Sequence, residues 1–85
     1  MSNIAGVMRD EMQVQQMIGK VGRVICNGTE YVVMLQGTYL YRRDIGIDCV
    51  CKILDKLRPD EYDIVICQFK HIRWLEGLEA SLYSL

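Results

Sequence analysis

The sequence predicts an α+β fold, a single layer of antiparallel sheet packed by helices, and three observations carry that prediction. Asn27-Gly28 lies between Arg23-Val24-Ile25-Cys26 and Thr29-Glu30-Tyr31-Val32-Val33-Met34-Leu35. Such a pair between β-branched and aromatic runs marks a two-residue hairpin, because a type I′ turn needs positive φ at both central positions and Asn-Gly accepts that backbone most readily. A second run rich in β-branched residues extends from Glu61 to Phe69. Apolar residues at helical spacing occur before the hairpin, between the two runs and after the second, which places helices around the strands.

The elements follow in order. Ser2 or Asn3 caps a first helix that runs to about Ile18, with Ile4, Val7, Met8, Met12 and Ile18 near one face and Gly19 ending it. Met8, Met12 and Met17 make its apolar surface adaptable, suited either to an irregular core or to a permissive binding face. The period then becomes extended, giving strands Val21 to Cys26 and Thr29 to Gln36. Gly37-Thr38 offers a second turn before a short third strand, Tyr39 to Arg42, which completes a three-stranded meander with both tyrosines on one face. Asp44 or Asp48 begins a second helix with Ile47, Val50, Cys51, Leu54 and Leu57 toward the sheet, ended at Leu57-Arg58 by Pro59. Glu61 to Phe69 is the fourth strand, placed centrally because Ile64, Val65, Ile66 and Cys67 are apolar on both faces. A C-terminal helix from about Ile72 to Tyr83 packs through Leu75, Leu78 and Leu82 and tolerates Gly77 at about 1 kcal/mol.

Eighty-five residues make one domain, spanning 1–85. Hydrophobic residues are 51% of the chain, enough to leave apolar surface uncovered once a small core is filled. A homodimer that stacks or extends the sheet is the expected use of that surplus. The longest apolar run, Tyr31 to Leu35, is far short of the roughly 18 residues of a membrane span. Arg9, Asp10 and Glu11 stand where a secretory signal would be apolar, so a cytoplasmic location with Cys26, Cys49, Cys51 and Cys67 reduced is expected. A net charge of -1 provides no long-range field toward nucleic acid or acidic membrane.

Candidate chemistry is sparse. On a helix, Cys49 and Cys51 point about 200° apart and do not chelate one metal together; on a strand they share a face that Cys26 and Cys67 can complete. Otherwise the four thiols act as small apolar side chains. His71 follows Cys67 by four residues, a nucleophile-base spacing only if both lie on one helix, and Lys70 and Arg73 make it equally a solvated histidine. Asp10-Glu11 and Asp60-Glu61 are adjacent pairs whose side chains diverge. No phosphate loop, dinucleotide fingerprint or nucleophile elbow is present, and no cofactor is implied.

The binding candidates are aromatic and basic: Tyr39, Tyr41, Arg42, Arg43, Lys70, Arg73 and Trp74. Tyrosine, tryptophan and arginine dominate interface energetics, so the sequence predicts a non-catalytic interaction protein, an inhibitor or adaptor that binds a larger protein partner. Small phage and mobile-element proteins that block bacterial defence enzymes share this profile, though no residue motif ties the chain to them. The alternative is a nucleotide or nucleic-acid module in which the same arginines meet phosphate and the aromatic rings stack on bases. Asp44, Asp48, Glu76 and Glu79 follow closely in sequence and oppose it.

Overall fold

The computed structural model describes residues 4–55 and 63–83, with side chains from residue 10 onward. Helix α1 (Ile4–Met17) precedes strands β1 (Val21–Cys26), β2 (Thr29–Arg42), β3 (Gly46–Ile53) and β4 (Ile64–Gln68), then a 3-10 turn (Phe69–His71), β5 (Arg73–Trp74) and helix α2 (Gly77–Ser81). The α+β class predicted from the sequence stands, but the five strands dominate and the helices are few. All pairings are antiparallel, in the order β4-β3-β2-β1-β5.

The hairpin forms as predicted, with Asn27 at φ 51 and Gly28 at φ 80 and Cys26 paired to Thr29 across the turn. β2 then departs from expectation. It runs unbroken through Gly37-Thr38 to Arg42, absorbing extra residues as bulges between Leu35 and Gly37 and between Thr38 and Leu40. Bulges bend a strand without ending its pairing, so the predicted second turn and separate third strand are one bent strand.

The predicted second helix is β3. Ile47, Cys49, Cys51 and Ile53 are buried at every second position, whereas the expected helical face included Val50, which lies on the other side of the strand. Leu57, Arg58 and Pro59, the predicted end of that helix, lie outside the described residues. β4 falls within the predicted fourth strand, yet it occupies an edge of the sheet and not its centre. Of the predicted C-terminal helix only α2 is helical, and β5 occupies Arg73–Trp74 ahead of it. Leu78 and Leu82, expected to pack, are exposed.

Four residues, 69–72, link the two edge strands. Four flat inter-strand gaps would separate those edges by about 19 Å. Five residue steps reach at most about 18 Å fully extended, and a 3-10 turn advances only about 2 Å per residue. The sheet therefore curls around its concave face, and the link crosses over it. Val24, Val33, Leu35, Ile47, Cys49, Cys51 and Ile53 face inward, closed over by Val14 of α1 and Ile72 of the link. Phe69 at the start of that link and Trp74 beyond its end stand with ring centroids 5.7 Å apart.

α1 is anchored at its C-terminal end. Gly19 N–H donates to Leu35 C=O at 2.9 Å and Leu35 N–H to Lys20 C=O at 3.0 Å. Val14 is fully buried, while Met12 and Ile18, predicted for the packed face, are 60% and 40% exposed. The packed stripe is thus rotated onto Val14 and Met17. Gly22 allows the link to approach β1 closely: a Cβ there would lie 2.5 Å from Ile72 Cγ2 and 3.0 Å from the Arg73 carbonyl oxygen.

Candidate functional site

The predicted binding residues are distributed over three places. At the far end of β2, Tyr39 occupies a bulge and is 62% exposed, whereas Tyr41 pairs with Ile47 and packs against the core. The extra residue between Thr38 and Leu40 breaks the alternation that was expected to keep both rings on one face. Arg42 turns onto Asp48, with Nε 3.0 Å from Oδ2 and a second guanidinium nitrogen donating to Oδ1 at 3.2 Å. This two-pronged pair satisfies the buried Asp48 and commits Arg42 to the fold. Arg43 is exposed in the turn that follows.

Lys70 lies on the 3-10 turn and lines a shallow pocket of about 190 Å³ with Asp10, Gln13, Ile45, Ile47 and Phe69. The pairing of Asp48 with Gln68 brings the exit of β4 beside the end of β3 that carries Asp48. Arg73 and Trp74 belong to the opposite edge, on β5. Of the basic residues, Arg42 is held by Asp48, Lys70 lines the pocket beside Ile45 and Ile47, and His71 and Arg73 line a groove with Arg23.

At the β5 edge, Arg23, Glu30, Arg73, Trp74, Leu75, Glu76 and Glu79 line an open cleft of about 420 Å³. Arg23 and Arg73 are directly opposed across β1 and β5, a repulsive placement offset by Glu30 and Glu79 at 3.4 and 3.9 Å from Arg23. Arg73 has no ion pair among the described residues. The cleft is of mixed charge, and its acids outnumber its arginines.

A surface the sequence reading missed lies at the other edge. The registers Met34–Lys52–Ile64 and Val50–Ile66 align rows across β2, β3 and β4 on the convex face. Ile64 is 55% and Ile66 41% exposed, and Lys52 is exposed between Met34 and Ile64. β4 itself reads Ile-Val-Ile-Cys-Gln, without charge, proline or glycine, and has no strand partner on its outer side among the described residues. Natural edges of this length are ordinarily protected by such residues. The available signal was the two-faced apolarity of Ile64 to Cys67, which suits a central strand or an adhesive edge equally.

On the concave side of the same two strands, three thiols gather. Cys49 is directly opposite Cys67, and Cys51 Sγ lies 3.6 Å from Cys67 Sγ. The hydrogen-bond contact between Cys51 and Cys67 favours the Cys67 thiolate and draws its pKa below the ordinary thiol value, while that contact and burial hold Cys51 protonated. Burial first, then the proximity of Cys67 and Asp48, pushes Cys49 up to about 11. The strand alternative raised for Cys49 and Cys51 is thus the observed one. No group of three or more His, Cys, Asp or Glu side chains among the described residues is arranged to hold a metal ion. His71 is exposed and lines a groove with Arg23, Ile25, Glu30 and Arg73, whereas Cys67 pairs with Cys51, so they form no nucleophile-base pair.

No family model, characterised protein or solved structure matches the chain. Among the described residues no helix is long and apolar enough to cross a membrane.

Proposed function

We propose that this protein is a non-catalytic interaction module, acting as an inhibitor or adaptor, that receives an extended segment of a protein partner along β4. The observation that carries the reading is the coincidence of an uncharged strand edge, unpaired on its outer side among the described residues, with exposed Ile64 and Ile66 on its convex face. Backbone groups of an edge strand supply affinity by strand addition, and alternate side chains supply specificity. Lys52, set between Met34 and Ile64, favours a partner segment that carries a carboxylate among apolar residues. A second copy of this chain fits the same edge without like-charge conflict, extending the sheet about a two-fold axis as a homodimer.

The test compares capture of proteins from the cells that make this chain by the wild type, Ile66→Lys and, as an exposed control on α2, Leu78→Lys. A polypeptide held by wild type and Leu78→Lys but weakened about ten-fold or more by Ile66→Lys supports the reading. Equal retention by all three contradicts it.

The nucleic-acid reading rests on one observation, Arg73 without an ion pair among the described residues and beside Trp74 in the β5 cleft. It predicts binding of single-stranded oligonucleotide that falls steeply with salt and is lost in Arg73→Ala. Binding insensitive to both excludes it.

A further inference from the structure

We propose that Cys67 is a site of reversible oxidation by hydroperoxides, with Cys51 as its resolving thiol, so that oxidation ties edge strand β4 covalently to β3. The inference rests on placement. Cys67 is half-buried on the edge strand and Cys51 is fully buried on its neighbour, with their sulfurs 3.6 Å apart. A disulfide needs about 2.05 Å, so closure asks the two sulfurs to approach by roughly 1.5 Å, and because Cys51 and Cys67 are diagonal in the register this takes a backbone adjustment of the edge strand as well as side-chain rotation. Cys49 is the rival resolving thiol because it stands directly across from Cys67, yet the Cys67 sulfur makes its hydrogen bond to Cys51. Cys26, at the tip of the hairpin, lies on a strand that does not adjoin β3 or β4.

The chemistry balances in two steps. The Cys67 thiolate attacks one peroxide oxygen, the O–O bond breaks, and the departing oxide takes a proton and leaves as water or alcohol. Cys67 becomes a sulfenic acid, oxidised by two electrons as the peroxide is reduced. Cys51 sulfur then attacks Cys67 sulfur. The S–O bond breaks, hydroxide leaves as water with the proton Cys51 gives up, and the S–S bond forms. An external dithiol reverses the link by exchange.

The link closes a segment that contains the whole β3–β4 connection, so it restrains the strand carrying Ile64 and Ile66. The experiment treats fully reduced protein with hydrogen peroxide, blocks residual thiols, and reads intact mass and non-reducing peptide maps. Wild type is expected to lose two hydrogens and yield a Cys51–Cys67 cross-linked peptide, reversed by dithiothreitol. Cys49→Ala should do the same, and Cys51→Ala should stop at a Cys67 sulfenic acid trapped by a 1,3-dione. A Cys49–Cys67 link, intermolecular products through Cys26, or unmodified Cys67 in the wild type overturns the proposal. The wild-type result stands on its own if a variant fails to fold.

Discussion

Adding one methyl group at Gly22 should detach the last strand from the sheet. In Gly22→Ala the new Cβ would meet Ile72 Cγ2 at 2.5 Å and the Arg73 carbonyl oxygen at 3.0 Å, against about 3.5 Å or more for comfortable carbon contacts. Ile72 is a link residue buried in the core, and the carbonyl belongs to backbone, so neither neighbour yields by simple rotation. β5 is held to β1 through two register pairs, Gly22 with Trp74 and Arg23 with Arg73, and lifting it is the easiest relief. Overpacking of this kind costs about 1–3 kcal/mol, which in a chain of this size lowers Tm by roughly 5–20 °C. Trp74 is the sole tryptophan, so its fluorescence follows β5 while circular dichroism follows the whole sheet. Gly37→Ala is the matched control, since nothing lies within 4 Å of a Cβ there. A Gly22→Ala protein that melts within about 2 °C of wild type, with unchanged tryptophan emission, would refute the argument.

Three further outcomes follow from the same contacts. Asp55→Ala removes the carboxylate that accepts the Val32 N–H at 2.9 Å; stranding the amide of this buried residue should cost about 1–3 kcal/mol in urea unfolding. Asp48→Ala leaves Arg42 without its two-pronged partner and should lower stability by about 1–2 kcal/mol at low salt, discounted because Arg42 is partly exposed; an unchanged midpoint would contradict the pairing. For Cys49, the folded pKa of about 11 exceeds the ordinary 9.0. Above pH 9 the unfolded thiol therefore releases its proton first, and the associated stability is full below pH 9 and falls as pH rises toward 11. Denaturant titrations across that range should show a steeper loss for wild type than for Cys49→Ala.

Local turn chemistry made the first hairpin legible, because Asn27-Gly28 demands a backbone few other pairs accept. α1 was legible in extent but not in orientation, since the methionines drew the predicted face away from Val14. β3 was misread because Ile47, Val50, Cys51 and Leu54 satisfy a helical period while Ile47, Cys49, Cys51 and Ile53 satisfy an alternating one. The polar residues Asp48 and Lys52 between the latter set were the discriminating signal. The bulges in β2 left no mark in composition, and a two-residue strand such as β5 is too short to carry any period. Those failures also displaced the candidate site: with β3 read as a helix, neither the rows joining Val50 to Ile66 and Lys52 to Ile64 nor the thiol cluster behind them was visible. The aromatic and basic residues were identifiable by type, but their placement on β2, on the 3-10 turn and on β5 depends on strand order, which no local pattern encodes.

The central claim is that β4 is an open edge that accepts a strand, and amide hydrogen exchange across Ile64–Gln68 tests it most directly. The account predicts alternating protection in the free protein, with outward amides exchanging fast and inward ones held by β3, and uniform protection of the strand once a captured partner is added. Outward amides that stay fast in the complex, while Arg73 and Trp74 become protected instead, would contradict it and move the binding surface to the β5 cleft.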